Sequence, residues 1–130
     1  MSFSLSHIAA VAAGGALGAM SRYGVGVVMG RWLGPSFPWA TLTVNIVGSL
    51  AMGVLIGLFA HYSTSNTARL FLVAGFLGAF TTFSTFSLDA VTLFERGAHG
   101  AVALYIAGSV VGAIAGLFLG LTLIRSLVAS

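Results

Sequence analysis

Charge is scarce in this sequence of 130 residues, of which only 5% are Asp, Glu, Lys or Arg. There is no lysine, and five arginines stand against two acids, Asp89 and Glu95. A soluble domain carries about 25% charged residues, whereas 58% of this chain is hydrophobic. Because a water-exposed fold would lack polar surface, we expect an integral membrane protein.

Cysteine is also absent, which excludes disulfide bonds and thiolate metal sites. The three histidines, His7, His61 and His99, lie at the ends of predicted helices, and no pair has the spacing of a metal site. The arginines are scattered along the chain, whereas nucleic-acid binding uses a clustered basic face. The sequence also offers no nucleophile–base constellation. We therefore expect neither an enzyme nor a nucleic-acid partner.

Four apolar stretches, each at least as long as the roughly 20 residues that cross a bilayer, predict one domain of transmembrane helices. These four predicted helices cover about residues 7–30, 39–60, 67–95 and 101–124. The fourth carries glycines four residues apart, a pattern that favours close contact between membrane helices. These glycines are Gly108, Gly112, Gly116 and Gly120.

The third predicted helix contains the most unusual stretch. Leu70–Leu88 is free of charge over 19 residues, yet Thr81–Ser87 holds five hydroxyl side chains interleaved with Phe83 and Phe86. A helix weakened by glycine can break at mid-membrane where its freed backbone groups face protein, water or an ion. We therefore predict that this helix is broken near residues 78–81 and lines a polar path.

Other polar residues at membrane depth are candidates for the same path. Asn45 needs a hydrogen-bond partner because an unpaired amide in hydrocarbon is costly, and Thr41 precedes it by one turn. Tyr105 and Ser109 are four residues apart in the fourth predicted helix. All are neutral donors and no acid lies at mid-membrane, which favours a small anion over a cation. The structural alternatives are an interhelical hydrogen bond for Asn45, an interfacial position for Tyr105 and core packing for the phenylalanines.

The charged residues leave further alternatives open. Arg22, late in the first predicted helix, either extends to the membrane interface or attracts anions at a pore mouth. Asp89 and Glu95 fall in the last two turns of the third predicted helix, and we interpret both as solvated.

The balance of arginines between the two membrane sides predicts the assembly. Arg69 and Arg125 fall on one side, against Arg31 and Arg96, with Arg22 deeper, on the other. The positive-inside rule needs an excess on one side to set the orientation. Because there is none, we predict insertion in both directions and an antiparallel, dual-topology homodimer.

Three motifs resemble the CrcB/Fluc family of fluoride channels over nearly the whole chain. They are G-F-L-G-A-F-T-T-F-S-T-F-S at Gly75–Ser87, T-L-T-V-N at Thr41–Asn45 and G-A-M-S-R-Y at Gly18–Tyr23. The resemblance implies an all-α protein of the microbial cell membrane with four transmembrane helices. It also implies an antiparallel homodimer with two pores that passively releases cytoplasmic fluoride.

The resemblance further implies roles for individual residues. Asn45 donates to fluoride, and Phe83 and Phe86 present the positive edges of their rings to it. The backbone carbonyls of Gly78 and Thr81 bind a structural sodium ion on the dimer axis. The other implied pathway residues are Arg22, Thr41, Ser84, Thr85, Tyr105 and Ser109.

Two positions depart from the family pattern. Ala79 stands where a second glycine is common, so we expect a somewhat different break, because alanine disfavours positive φ. Ala113 stands where some members have another serine. A small dual-topology multidrug carrier is the alternative function, but it needs a mid-membrane acid, and the first predicted helix has none.

Overall fold

The computed structural model describes residues 3–129, which form helices joined by short connections and contain no strand. Helix α1 spans Leu5–Leu33, α2 spans Trp39–His61 and α6 spans His99–Ala129. Between α2 and α6 the chain forms four shorter helical segments. They are α3 (Asn66–Arg69), a π-helix (Leu70–Leu77), α4 (Gly78–Phe80) and α5 (Phe83–Glu95). The all-α prediction is confirmed.

Within residues 3–129, three stretches are long and apolar enough to cross a membrane. Trp39–His61, Asn66–Glu95 and His99–Ala129 have mean hydropathies of 2.1, 1.6 and 2.2. Helix α1 has 29 residues and measures roughly 43 Å at the α-helical rise, but it is less apolar and carries Arg22 and Arg31. A membrane crossing by α1 therefore stays a prediction.

Serine and threonine side chains cap the starts of three helices, and glycines follow the ends of two. Ser4, Ser65 and Thr82 each accept a hydrogen bond from the backbone N–H three residues later, at the starts of α1, α3 and α5. Gly34 follows α1 with φ of 76°, and Gly97 follows α5 with φ of 78°. Glycine suits both positions because other residues disfavour positive φ.

Glycines bring α2 and α6 into backbone contact. A Cβ on Gly53 or Gly120 would overlap a backbone carbonyl of the facing helix. Residues of α2 also closely approach Gly112 and Gly116, whereas the space around Gly108 is open. The last three glycines of the α6 ladder thus contact α2, as membrane helices rich in small residues do.

Helix α1 contacts the π-helix in the same manner. A Cβ on Gly14 would overlap the carbonyl of Phe71, and one on Gly18 would overlap that of Phe76. From the other side, a Cβ on Gly75 would lie 2.9 Å from the carbonyl of Val11 in α1. Gly75 therefore lets the backbones of α1 and the π-helix approach each other closely.

The helical backbone is interrupted at Thr81 and Thr82, which are extended with φ of −86° and −155°. The sequence placed the break near residues 78–81, so the interruption falls at the end of that range. Gly78 keeps helical angles, with φ of −60°, and no described residue other than Gly34 and Gly97 has positive φ. The expectation for Ala79 does not apply, because the break uses no glycine conformation.

We predict that Gly120→Ala lowers the free energy of unfolding by about 1–3 kcal/mol, because its methyl group would overlap the Leu50 carbonyl. The matched control is Gly108→Ala in the same helix, where the space around the glycine is open. Thermal unfolding in detergent should show a lower Tm for the first variant alone. Equal Tm values would contradict the contact between α2 and α6.

Candidate functional site

Asn45 links α2 to the break. Its Nδ2 donates to the carbonyl oxygen of Thr82 at 3.0 Å, and its Oδ1 accepts from the backbone N–H of Thr82 at 2.8 Å. Backbone groups without a partner away from water cost about 1–3 kcal/mol each. The Asn45 amide therefore replaces hydrogen bonds lost where the helix is interrupted. One of its two Nδ2 hydrogens remains available, since a primary amide has two.

Arg22 reaches the break from α1. Its Nε donates to the carbonyl oxygen of Ala79 at 3.0 Å, and the side chain is half-buried. In an unbroken helix that carbonyl would accept from the N–H of Phe83, four residues later. The guanidinium thus contacts backbone, which neither sequence interpretation of Arg22 included.

A cavity of about 310 Å³ lies beside the break, between α2, α5 and α6. It brings together four predicted site residues, Asn45, Phe83, Phe86 and Ser109. The lining also includes Ser49, Thr81, Thr82, Val110, Ala113 and Ile114.

Among the described residues that line this cavity, Ser109 alone has a hydroxyl that is both buried and unpartnered. The residue is 5% exposed, and its Oγ is buried without a hydrogen-bond partner. Burial of an unpaired hydroxyl is unfavourable, so this group is suited to bind something that enters the cavity.

The two phenylalanines of the cavity differ in exposure. Their ring centroids are 5.5 Å apart with planes tilted by 41°. Phe86 is 8% exposed, whereas Phe83 is 77% exposed in the single chain. Phe86 therefore belongs to the core, and Phe83 forms the open wall of the cavity.

A second cavity, of about 520 Å³, lies on the α1 side of the break. Three predicted site residues, Arg22, Thr41 and Thr85, line it together with Tyr23 and Thr82. Thr82 lines both cavities, so the extended segment separates them. The sequence grouped Thr41 with Asn45, but the structure assigns their side chains to different cavities.

Tyr105 is fully buried, and its hydroxyl donates to Oδ2 of Asp89 at 2.9 Å. Its ring lies 5.3 Å from Phe86 and meets Phe37 edge-on at 5.5 Å between centroids. Asp89, which we interpreted as solvated, is half-buried and accepts this bond, whereas Glu95 is exposed. Neither Tyr105 nor the exposed Ser84 lines the two cavities at the break.

The backbone carbonyl oxygens near the break differ in whether a side chain donates a hydrogen bond to them. Side-chain donors reach the carbonyl oxygens of Leu77, Ala79 and Thr82, whereas no side chain within residues 3–129 is found to donate to those of Gly78 or Thr81. Carbonyl oxygens are the ligands that hard cations prefer. The residues implied for sodium binding therefore have a suitable donor chemistry. The described residues contain no cluster of His, Asp or Glu that could hold a metal ion.

Comparison with known proteins adds an independent finding. The model of the family described as "CrcB-like protein, Camphor Resistance (CrcB)" matches residues 9–121. A protein of Rhodospirillum centenum is 58% identical over 126 residues, covering 96% of this chain and all of that protein. One of Agrobacterium fabrum is 58% identical over 122 residues, covering 93% and 98%. One of Nitrobacter winogradskyi is 53% identical over 121 residues, covering 92% and 96%. Each is named "Fluoride-specific ion channel FluC".

We predict that Asn45→Ala destabilises the fold by about 2 kcal/mol, because both of its hydrogen bonds to Thr82 would be lost. Hydrogen exchange of the Thr82 amide should accelerate at the same time. Asn66→Ala, at an exposed position at the start of α3, is the control and should leave that amide protected. An unchanged Thr82 exchange rate in Asn45→Ala would disprove the contact.

Proposed function

Because this chain belongs to the CrcB family, we propose that it is a passive, fluoride-selective channel that lets fluoride leave the cytoplasm. The relatives named as fluoride channels match it nearly from end to end, and the chain is a multi-pass membrane protein. The observation that supports this function most directly is the unpartnered Ser109 hydroxyl, which shares a cavity with the Asn45 amide and the phenylalanine pair.

The chemistry of that cavity suits a small, strongly hydrated anion. A path for fluoride must replace its water with donors, and the free Nδ2 hydrogen of Asn45 and the Ser109 hydroxyl are two such donors. The rings of Phe83 and Phe86 add positive edges. A charged side chain lining this cavity would hold the ion too tightly, whereas its neutral donors bind and release it.

The second cavity is the proposed approach to the break. Arg22 supplies positive charge there, which raises the local concentration of anions, and Thr41 and Thr85 supply hydroxyls. For Ser84 and Tyr105 the support is the resemblance alone, since the Tyr105 hydroxyl is bonded to Asp89. That bond also favours the channel over the multidrug carrier, because a proton-coupled carrier needs an acid free to meet its substrate.

We further propose that all four predicted spans cross the membrane and that two chains assemble as an antiparallel homodimer. The 77% exposure of Phe83 supports this assembly, since a second chain would close the open wall of the cavity. The carbonyls of Gly78 and Thr81 from both chains would hold a structural sodium ion. When bound, that ion would supply a fixed positive charge and join the two breaks.

We predict that the purified protein in liposomes releases fluoride rapidly and retains chloride. Phe83→Ile removes one ring edge, and Ser109→Ala removes the unpartnered donor, so each should slow fluoride release at least tenfold. Phe118→Ile, which changes an exposed phenylalanine of α6 away from the cavity, should conduct as the wild type does. A folded wild-type protein that releases no fluoride would refute the channel.

We predict that single cysteines report both orientations, since the chain has no native cysteine to interfere. Ser36→Cys lies between α1 and α2, and Ser63→Cys lies between α2 and α3; both positions are exposed. In sealed vesicles an impermeant thiol reagent should label about half of each variant, provided that the protein was inserted by cells. Complete labelling of one variant and none of the other would mean a single orientation.

A further inference from the structure

Helix α1 follows the interrupted helix closely as far as the break. Gly14, Gly18 and Arg22 are four residues apart, so they share one face of α1. Gly14 meets the carbonyl of Phe71, and Gly18 meets that of Phe76. One turn later, Arg22 bonds the carbonyl of Ala79. The same face of α1 thus contacts the interrupted helix at three carbonyls along its length, and at the last of them the contact is a hydrogen bond from the charged Arg22.

The Ala79 carbonyl lies between the two that the proposed sodium site would use, those of Gly78 and Thr81. The extended backbone at Thr81 and Thr82 separates this carbonyl from its helical partner. Without Arg22 it would be free to turn toward water or a bound cation. With Arg22, one of its two lone pairs accepts from a guanidinium, which fixes the carbonyl beside a positive charge and so disfavours it as a cation ligand.

From this geometry we propose that Arg22 is a positioning residue for the cation site: its Nε fixes the Ala79 carbonyl and thereby leaves Gly78 and Thr81 as the sodium ligands. This inference rests on the proposed sodium site, but it differs from attraction of anions by the Arg22 charge. The positioning role requires a hydrogen-bond donor at the place of the Arg22 Nε, whereas anion attraction requires only a positive charge in the cavity.

Arg22→Lys separates the two roles. Lysine keeps the charge, but a methylene group stands where arginine has Nε, so the donor that meets Ala79 is displaced. We expect the apparent sodium affinity of the variant to fall about tenfold, as for the loss of one hydrogen bond from a charged group. Arg31→Lys, an exposed exchange near the end of α1, is the matched control and should bind sodium as the wild type does.

The readout is the sodium-dependent part of the Tm of the purified dimer, titrated with sodium against N-methylglucamine at constant ionic strength. A merely structural role would lower Tm equally at all sodium concentrations without moving the midpoint of the titration. If charge alone mattered, Arg22→Lys would match the wild type and Arg22→Gln would bind sodium more tightly. The proposal would be overturned by a structural or a charge-only result of this kind, or by a wild-type Tm that does not change with sodium concentration.

A measurement on the wild-type protein covers the case in which the Arg22 variants fail to fold. The protein is labelled with ¹³C at the alanine carbonyls and ¹⁵N in the arginines. Solid-state NMR in a buffer that contains sodium and no fluoride should then detect a contact between a guanidinium Nε and an alanine carbonyl. Its absence would refute the inference. Fluoride release by the same wild-type preparation is measured separately, so a failed channel is distinguishable from a failed positioning role.

Discussion

The structure depends on one constraint, which is that a helix interrupted inside a membrane must find partners for the backbone groups it frees. Water satisfies such groups in a soluble protein, but hydrocarbon does not. Here the partners come from both neighbouring helices: Asn45 of α2 bonds both backbone groups of Thr82, and Arg22 of α1 bonds the carbonyl of Ala79. The glycine contacts of α1 and α2 bring these side chains within reach.

The same side chains serve the break and the proposed fluoride path. Asn45 uses one Nδ2 hydrogen and its oxygen on Thr82 and keeps one hydrogen for the cavity. Because that bidentate contact fixes the amide plane, the remaining donor is held in place before an ion arrives. Preorganised donors of this kind lose little entropy on binding. The stability of the break and the donor geometry of the cavity are therefore set by the same hydrogen bonds.

Much of the fold could be predicted from the sequence, because apolar length and glycine spacing act locally. The break was expected because Thr81–Ser87 combines hydroxyls with phenylalanines, and the cavity unites Asn45, Phe83, Phe86 and Ser109 as candidates. The pairing of Tyr105 with Asp89 was missed, since it depends on how two helices are rotated against each other. The contact of Arg22 with Ala79 was also missed. These residues are 57 positions apart, so their contact likewise depends on how two helices are placed and rotated against each other.

The π-helix at Leu70–Leu77 was also absent from the predictions, because its eight residues are all apolar or glycine and show no hydrophobic period from which its wider turns could be recognised. Its position, directly before α4, gives it a geometric consequence. Each residue of an α-helix turns the chain by about 100°, and a π-helix turns it by less. The eight residues therefore determine how far the helix has rotated about its axis where it reaches the break, and so which neighbouring helix each residue of the break faces. Removing one residue here would rotate the carbonyl of Ala79 away from α1 while leaving every side chain of the break intact.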